Sequence, residues 1–153
     1  MSQMRRPVHV VGVGMIPFTK PGASEPYTVM GARAAQAALA DAGVDYADVQ
    51  QAYVGYVYGD STAGQAAIYG VGLSGIPVFN VNNNCSTGSS ALFLARQAVE
   101  SGMIECAIAL GFEQMVPGAL KGAYDDRPSP MARFADVMAE HQGFEAGVPR
   151  AAQ

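Results

Sequence analysis

Asn80-Val81-Asn82-Asn83-Asn84-Cys85-Ser86-Thr87-Gly88-Ser89-Ser90-Ala91-Leu92 is the stretch on which the fold turns. Ahead of it, the apolar run over residues 76–81 has the length of a short buried strand. Behind it, Leu92, Ala95 and Val99 recur at spacings of three and four, with Arg96 and Gln97 turned outward, so a helix follows. The polar knot between them places Cys85 at a strand-to-helix turn, at or just before the first helical turn. Ser86 or Thr87 is the expected cap.

That placement has chemical consequences. The first amide N–H groups of a helix lack internal acceptors, and the macrodipole adds partial positive charge there. A thiolate at such an end is stabilised and gains nucleophilicity at neutral pH. The same N–H groups can bind a developing oxyanion. Cys85 is therefore the candidate nucleophile, with Asn84, Ser86 and Gly88 as its substrate and oxyanion neighbourhood. Gly88 and Ser89 are small enough for a backbone or a thioester to approach closely. A free cysteine is more commonly a small buried hydrophobe, but three asparagines and two small hydroxyl residues make a poor dry niche.

Working outward, residues 8–13 form a nearly continuous apolar run that reads as a buried parallel strand. Gly12 and Gly14 close it, but Pro17 stands where a dinucleotide fingerprint needs its third glycine. Residues 27–42 read as a helix with a small-residue face over Met30, Ala34, Ala37, Ala38 and Leu39, stopped by Gly43. Residues 49–58 read as a strand whose Tyr53, Tyr56 and Tyr58 give it an aromatic edge. A short helix over 63–73 leads to the strand before Cys85. A helix over 91–101 and a buried strand over 105–110 follow, with Cys106 inside the strand as inert packing. Strands alternating with helices imply an α/β fold, β-α-β-α-β-α-β, with a mostly parallel sheet covered on both faces.

After Gly111 the texture changes to Pro- and Gly-marked loops around one amphipathic helix over 131–141. His9 reads as a core or edge residue of the first strand. His141 ends a helix, where a cationic side chain suits the dipole.

Composition narrows the classes. Half of the 153 residues are hydrophobic, 14% are charged and the net charge is −4. That gives no basic footprint for nucleic acid and no polybasic membrane patch. Two cysteines outside any C-x-x-C pair argue against a disulfide scaffold and a zinc site, and suit a reducing compartment. Neither a signal peptide nor a membrane-length apolar run is legible, and the last residues are not a peroxisomal tripeptide, so a cytoplasmic location is expected.

The turn from Asn82 to Leu92, together with Glu105-Cys106-Ala107-Ile108-Ala109-Leu110-Gly111-Phe112-Glu113, resembles the thiolase superfamily. More narrowly, it is similar to the thiolase-like half of sterol carrier protein X, the non-specific lipid-transfer protein thiolases. Residues 10–15 and 55–62 fit the same group, so four separated blocks occur in order. The resemblance implies a thiolase-like N-terminal half with a mostly parallel five-stranded-type sheet over residues 1–115. The beginning of a coenzyme A-binding loop domain would occupy 116–153, with Lys121, Arg127 and Arg133 as candidates to meet its phosphates. It further implies that Cys85 takes the acyl group of a 3-ketoacyl-CoA, with no bound cofactor or metal and coenzyme A as substrate. A homodimer or larger oligomer is implied as well, with the strand before the cysteine near the interface.

In that family a histidine activates the cysteine and a second acid/base residue protonates the departing acyl-CoA carbanion, both from a second half of the chain. This sequence has no Gly-His-Pro motif and no second Cys-x-Gly segment. It is expected to be a truncated thiolase, inactive alone. The alternatives are a thiolase-like retro-aldolase of steroid side-chain 3-hydroxyacyl-CoA and a non-catalytic acyl-CoA-binding or scaffold subunit completed by another chain.

Overall fold

The computed structural model describes residues 6–117 and 126–143. The chain divides into two compact units, Met1–Pro117 and Gly118–Gln153. In the first, helix α1 (Tyr27–Ala42), a 3₁₀ turn (Tyr46–Asp48), strand β1 (Gln51–Gly55), helix α2 (Ala63–Tyr69), strand β2 (Val78–Val81), helix α3 (Thr87–Glu100) and strand β3 (Ala107–Gly111) follow one another. The three strands form one parallel sheet in the order β2-β1-β3.

Side-chain alternation along β1 divides the core between the two faces of the sheet. Ala52 and Val54 face Ala35, Ala63, Ala67, Ile68, Ile108 and Leu110, joining α1 and α2 to the sheet. Tyr53 points the other way, onto Ala91, Ala95 and Ala98 of α3 and Ile104. Both faces of β1 are therefore covered, and residues 52–55 are all buried. The helices approach closely because most of their inward residues are small: Gly31, Ala32 and Ala35 beside Met30 on α1, and Thr87, Ala91, Ala95 and Ala98 on α3. α1 ends where expected, because Gly43 takes a left-handed φ of 64° that a side chain would resist. Its start is fixed by the Tyr27 amide, which donates to Gln114 Oε1 at 2.8 Å. The Tyr27, Phe112 and Tyr56 rings stack in a row, with centroids 5.0 and 5.1 Å apart.

The sheet corrects one expectation. Residues 8–13 are not a buried strand, and among the described residues the sheet has three strands rather than the five-stranded type. Val10, Val11 and Val13 are 71, 64 and 70% exposed, and His9 is exposed as well. A strand needs a ladder partner for its amides and carbonyls. This segment runs alongside α1 instead. Cβ atoms at Gly12 and Gly14 would run into the carbonyl oxygens of Ala38 and Ala34, and the Val13 amide donates to Asp41 Oδ2 at 2.9 Å. The expected buried strand over 76–81 shortens to Val78–Val81, an edge strand with Phe79 and Asn80 exposed.

In the second unit, helix α4 (Ala132–Gln142) carries no buried residue and ends on Gly143 at a φ of 62°, with His141 in its last turn. Asp126 and Arg127 pair just before it, through Nε–Oδ1 and Nη2–Oδ2 contacts of 2.8 Å each.

Candidate active-site turn

Parallel strands in register bring their carboxyl ends to one edge of the sheet. Gly55 pairs with Val81 on one side and Gly111 on the other. In open α/β sheets this edge is where ligands bind. Cys85 lies four residues beyond β2, on the turn that crosses from this edge into α3, and its side chain is exposed. The first turn of α3 sits directly over the strand ends. A Cβ on Gly111 would be 3.9 Å from Gly88 Cα, and one on Gly55 would be 2.7 Å from Thr87 Cγ2.

The turn is held from within. Asn84 occupies the left-handed region at a φ of 48°, which asparagine tolerates better than most side chains. Its amide donates to Asn82 Oδ1 at 3.1 Å, and its carbonyl accepts from the Thr87 amide at 3.1 Å. The Thr87 hydroxyl donates to that same carbonyl and accepts from the Asn83 amide at 2.9 Å. Asn83 Nδ2 donates to Ser90 Oγ at 2.9 Å, tying the turn to the first turn of α3. Cys85 Sγ lies 3.9 Å from Asn84 Oδ1.

Neither expected cap forms. Ser86 stands at the N-cap position with a φ of −93° and a ψ of 8°, and its side chain makes no capping bond. An N-cap bonds forward to an amide two or three residues on from an extended backbone, and Ser86 is not extended. Thr87 is already helical, and its hydroxyl reaches backwards instead.

Of the proposed oxyanion neighbourhood, the Ser86 amide donates to the Asn83 carbonyl at 3.0 Å and is occupied. A Cβ built on Gly88 would meet no atom within 4 Å. Among the described residues no acceptor takes the amides of Cys85, Gly88 or Ser89. Sequence reading passed over Glu113. Its carboxylate accepts from the amides of Val57, at 3.1 and 3.2 Å, and Tyr58, at 2.8 Å, fixing the chain just beyond β1 on the same edge. Nothing in the local pattern around Glu113 signals this, because the partners are more than fifty residues away in sequence.

Cys106 is half-buried, and burial first, then the Asp48 charge, pushes its thiol above the ordinary value. It is the less reactive of the two cysteines by environment. Arg127 and Arg133 lie exposed in the second unit, while Lys121 falls outside the described residues. No cluster of three metal-ligating side chains occurs among the described residues. No helix among them is long and apolar enough to cross a membrane.

The α/β architecture is shared with solved structures. An acetyl-CoA acetyltransferase from Syntrophomonas wolfei superposes with a TM-score of 0.58 at 24% identity, over 64% of this chain and 26% of its own. Residues 8–144 match the profile of the thiolase N-terminal domain, so the chain belongs to the thiolase family. It is 55% identical over 143 residues to sterol carrier protein 2 of Gallus gallus, covering 92% of this chain. It is also 36% identical over 113 residues, 72% of this chain, to a benzoylsuccinyl-CoA thiolase subunit of Thauera aromatica. The chain spans 26% of the length of the first relative and 29% of the second.

Proposed function

We propose that this chain is the nucleophile-bearing part of a thiolase-type acyltransferase acting on 3-ketoacyl-CoA with fatty or sterol side chains. The observation that carries the reading is the exposed Cys85 on a pinned turn at the carboxyl edge of the sheet, a few residues ahead of the unoccupied amides of Gly88 and Ser89 at the start of α3. Family membership and the names of the relatives supply the substrate class.

In this reading the Cys85 thiolate attacks the C3 keto carbon, and the oxyanion is met by free amides at the start of α3. When the intermediate collapses, the C2–C3 bond breaks. Its electron pair passes to C2 of the departing acetyl- or propionyl-CoA, where a proton is added, and the acyl group stays on Sγ as a thioester. The thiol of a second coenzyme A then attacks that thioester, releasing the shortened acyl-CoA and free Cys85. The base for the thiol and the acid for C2 come from a further segment or a second chain. Arg133, and Arg127 if released from Asp126, meet coenzyme A phosphates, as does Lys121. The working form is a homodimer or larger oligomer in the cytoplasm.

A second reading, a non-catalytic acyl-CoA-binding subunit, is favoured by one observation: Asn84 Oδ1 is the hydrogen-bond partner of Cys85 Sγ, where a thiolase needs a base.

Intact-mass measurement after incubation with a 3-ketoacyl-CoA, with Cys85→Ala as control, tests the proposal. An acyl adduct on the unaltered chain alone supports it. An adduct appearing only with an added second segment or chain shows that the site is shared. No adduct under either condition removes Cys85 as the nucleophile and leaves the binding subunit.

A further inference from the structure

We infer that Thr87 is the positioning residue of the Cys85 turn, acting through its hydroxyl and not through its bulk. Four observations converge on it. Thr87 is 5% exposed and is the buried polar side chain of the described core. Its hydroxyl both accepts and donates on the turn, accepting from the Asn83 amide and donating to the Asn84 carbonyl. These two bonds bracket Asn84, whose left-handed φ of 48° sets the direction in which the chain enters Cys85. The methyl of Thr87 meanwhile lies against Gly55, at the end of the central strand.

The chemistry follows from this bracketing. A non-glycine residue held in the left-handed region persists only where its surroundings over-determine it. Here the second bond to the Asn84 carbonyl and the bond to the Asn83 amide both come from one hydroxyl. Without it, two backbone groups lose a partner and Asn84 relaxes towards a right-handed conformation. Cys85 then leaves the position that the turn gives it ahead of α3. The hydroxyl thus converts the fixed position of α3 on β1 into a fixed position for Sγ. This inference rests on Cys85 being the reactive residue of the proposed function, but not on the identity of the substrate.

The test is the second-order rate of Cys85 alkylation by iodoacetamide at pH 7.5, in the full chain with Cys106→Ser so that one thiol remains. Near-ultraviolet circular dichroism checks that each variant is folded. Thr87→Val, which keeps the shape and removes the hydroxyl, is expected to slow alkylation at least fivefold. Thr87→Ser, which keeps the hydroxyl and removes the methyl, is expected to hold the rate within twofold. Asn84→Ala, which leaves Thr87 intact but disfavours the left-handed turn, is expected to slow it at least threefold.

An unchanged rate in folded Thr87→Val overturns the inference, and so does a fivefold loss in Thr87→Ser. Should Thr87→Val fail to fold, the other two variants decide: a slowed Thr87→Ser or an unaffected Asn84→Ala sinks the positioning role. Because alkylation needs no acyl-CoA, its outcome is independent of the acyl-adduct experiment, and failure of one reading is distinguishable from failure of the other.

Discussion

Gly55 and Thr87 stand so close that a methyl on Gly55 would lie 2.7 Å from Thr87 Cγ2 and 2.9 Å from the Thr87 carbonyl oxygen. Through this contact the last residue of β1 supports the first residue of α3, and with it the turn that carries Cys85. The glycine is required by space, since something must move if it gains a side chain.

Gly55→Ala is accordingly expected to destabilise the fold by about 1–3 kcal/mol, the range for overpacking a tight interior. Displacement of α3 should also slow Cys85 alkylation. Urea unfolding and the alkylation rate, measured on the same preparation, check both. Unchanged stability would mean that α3 slides without cost, contrary to the packing seen here.

Glu113 provides the acceptors for two amides beyond β1. Glu113→Ala leaves those part-buried donors without a partner and is expected to cost about 1–3 kcal/mol, whereas Glu113→Gln, which retains one acceptor oxygen, should cost less. Denaturation midpoints at neutral pH distinguish the two. Equal losses would show that the negative charge, and not the acceptor geometry, is what matters.

The raised thiol of Cys106 gives a prediction in pH. Burial disfavours the thiolate, so in the folded chain the proton is held to higher pH than in the unfolded one. The associated stability is fully present below the ordinary thiol range and declines as pH rises through the folded value. In Cys85→Ser, alkylation of Cys106 should be at least tenfold slower than that of a free cysteine at pH 8, and should accelerate on going more alkaline. Rapid labelling at pH 8 would contradict the burial argument.

Val10 and Val11, 71 and 64% exposed, contribute apolar surface and little folding energy. Replacing both with Thr is expected to change stability by less than about 0.5 kcal/mol, typical of surface sites. The same change should reduce concentration-dependent association in sedimentation velocity. A large loss of stability would instead mean that these valines are core residues.

Much of the fold was legible because its signals are local. The helix ending at Gly43 was readable from small-residue periodicity and one glycine stop, and α1 runs over Tyr27–Ala42 as those signals dictate. The strand-to-helix turn around Cys85 was readable from an apolar run, a polar knot and renewed helical spacing. The valine-rich residues 8–13 misled, because periodicity reports a segment's preference for a ladder but not whether a partner stands beside it. Ser86 misled for a related reason: its side chain suits a cap, but its backbone, set by the turn, does not.

The sequence by itself determined the alternating α/β order, the thiolase-family character and the place of Cys85 between strand and helix, since each depends on residues adjacent along the chain. Only the tertiary structure decided that residues 8–13 run along α1 outside the sheet, that Glu113 holds the chain after β1, and that the Thr87 hydroxyl points back at Asn84. Those outcomes depend on which groups meet through space. Backbone donors and acceptors must find partners wherever the packing of small residues brings them.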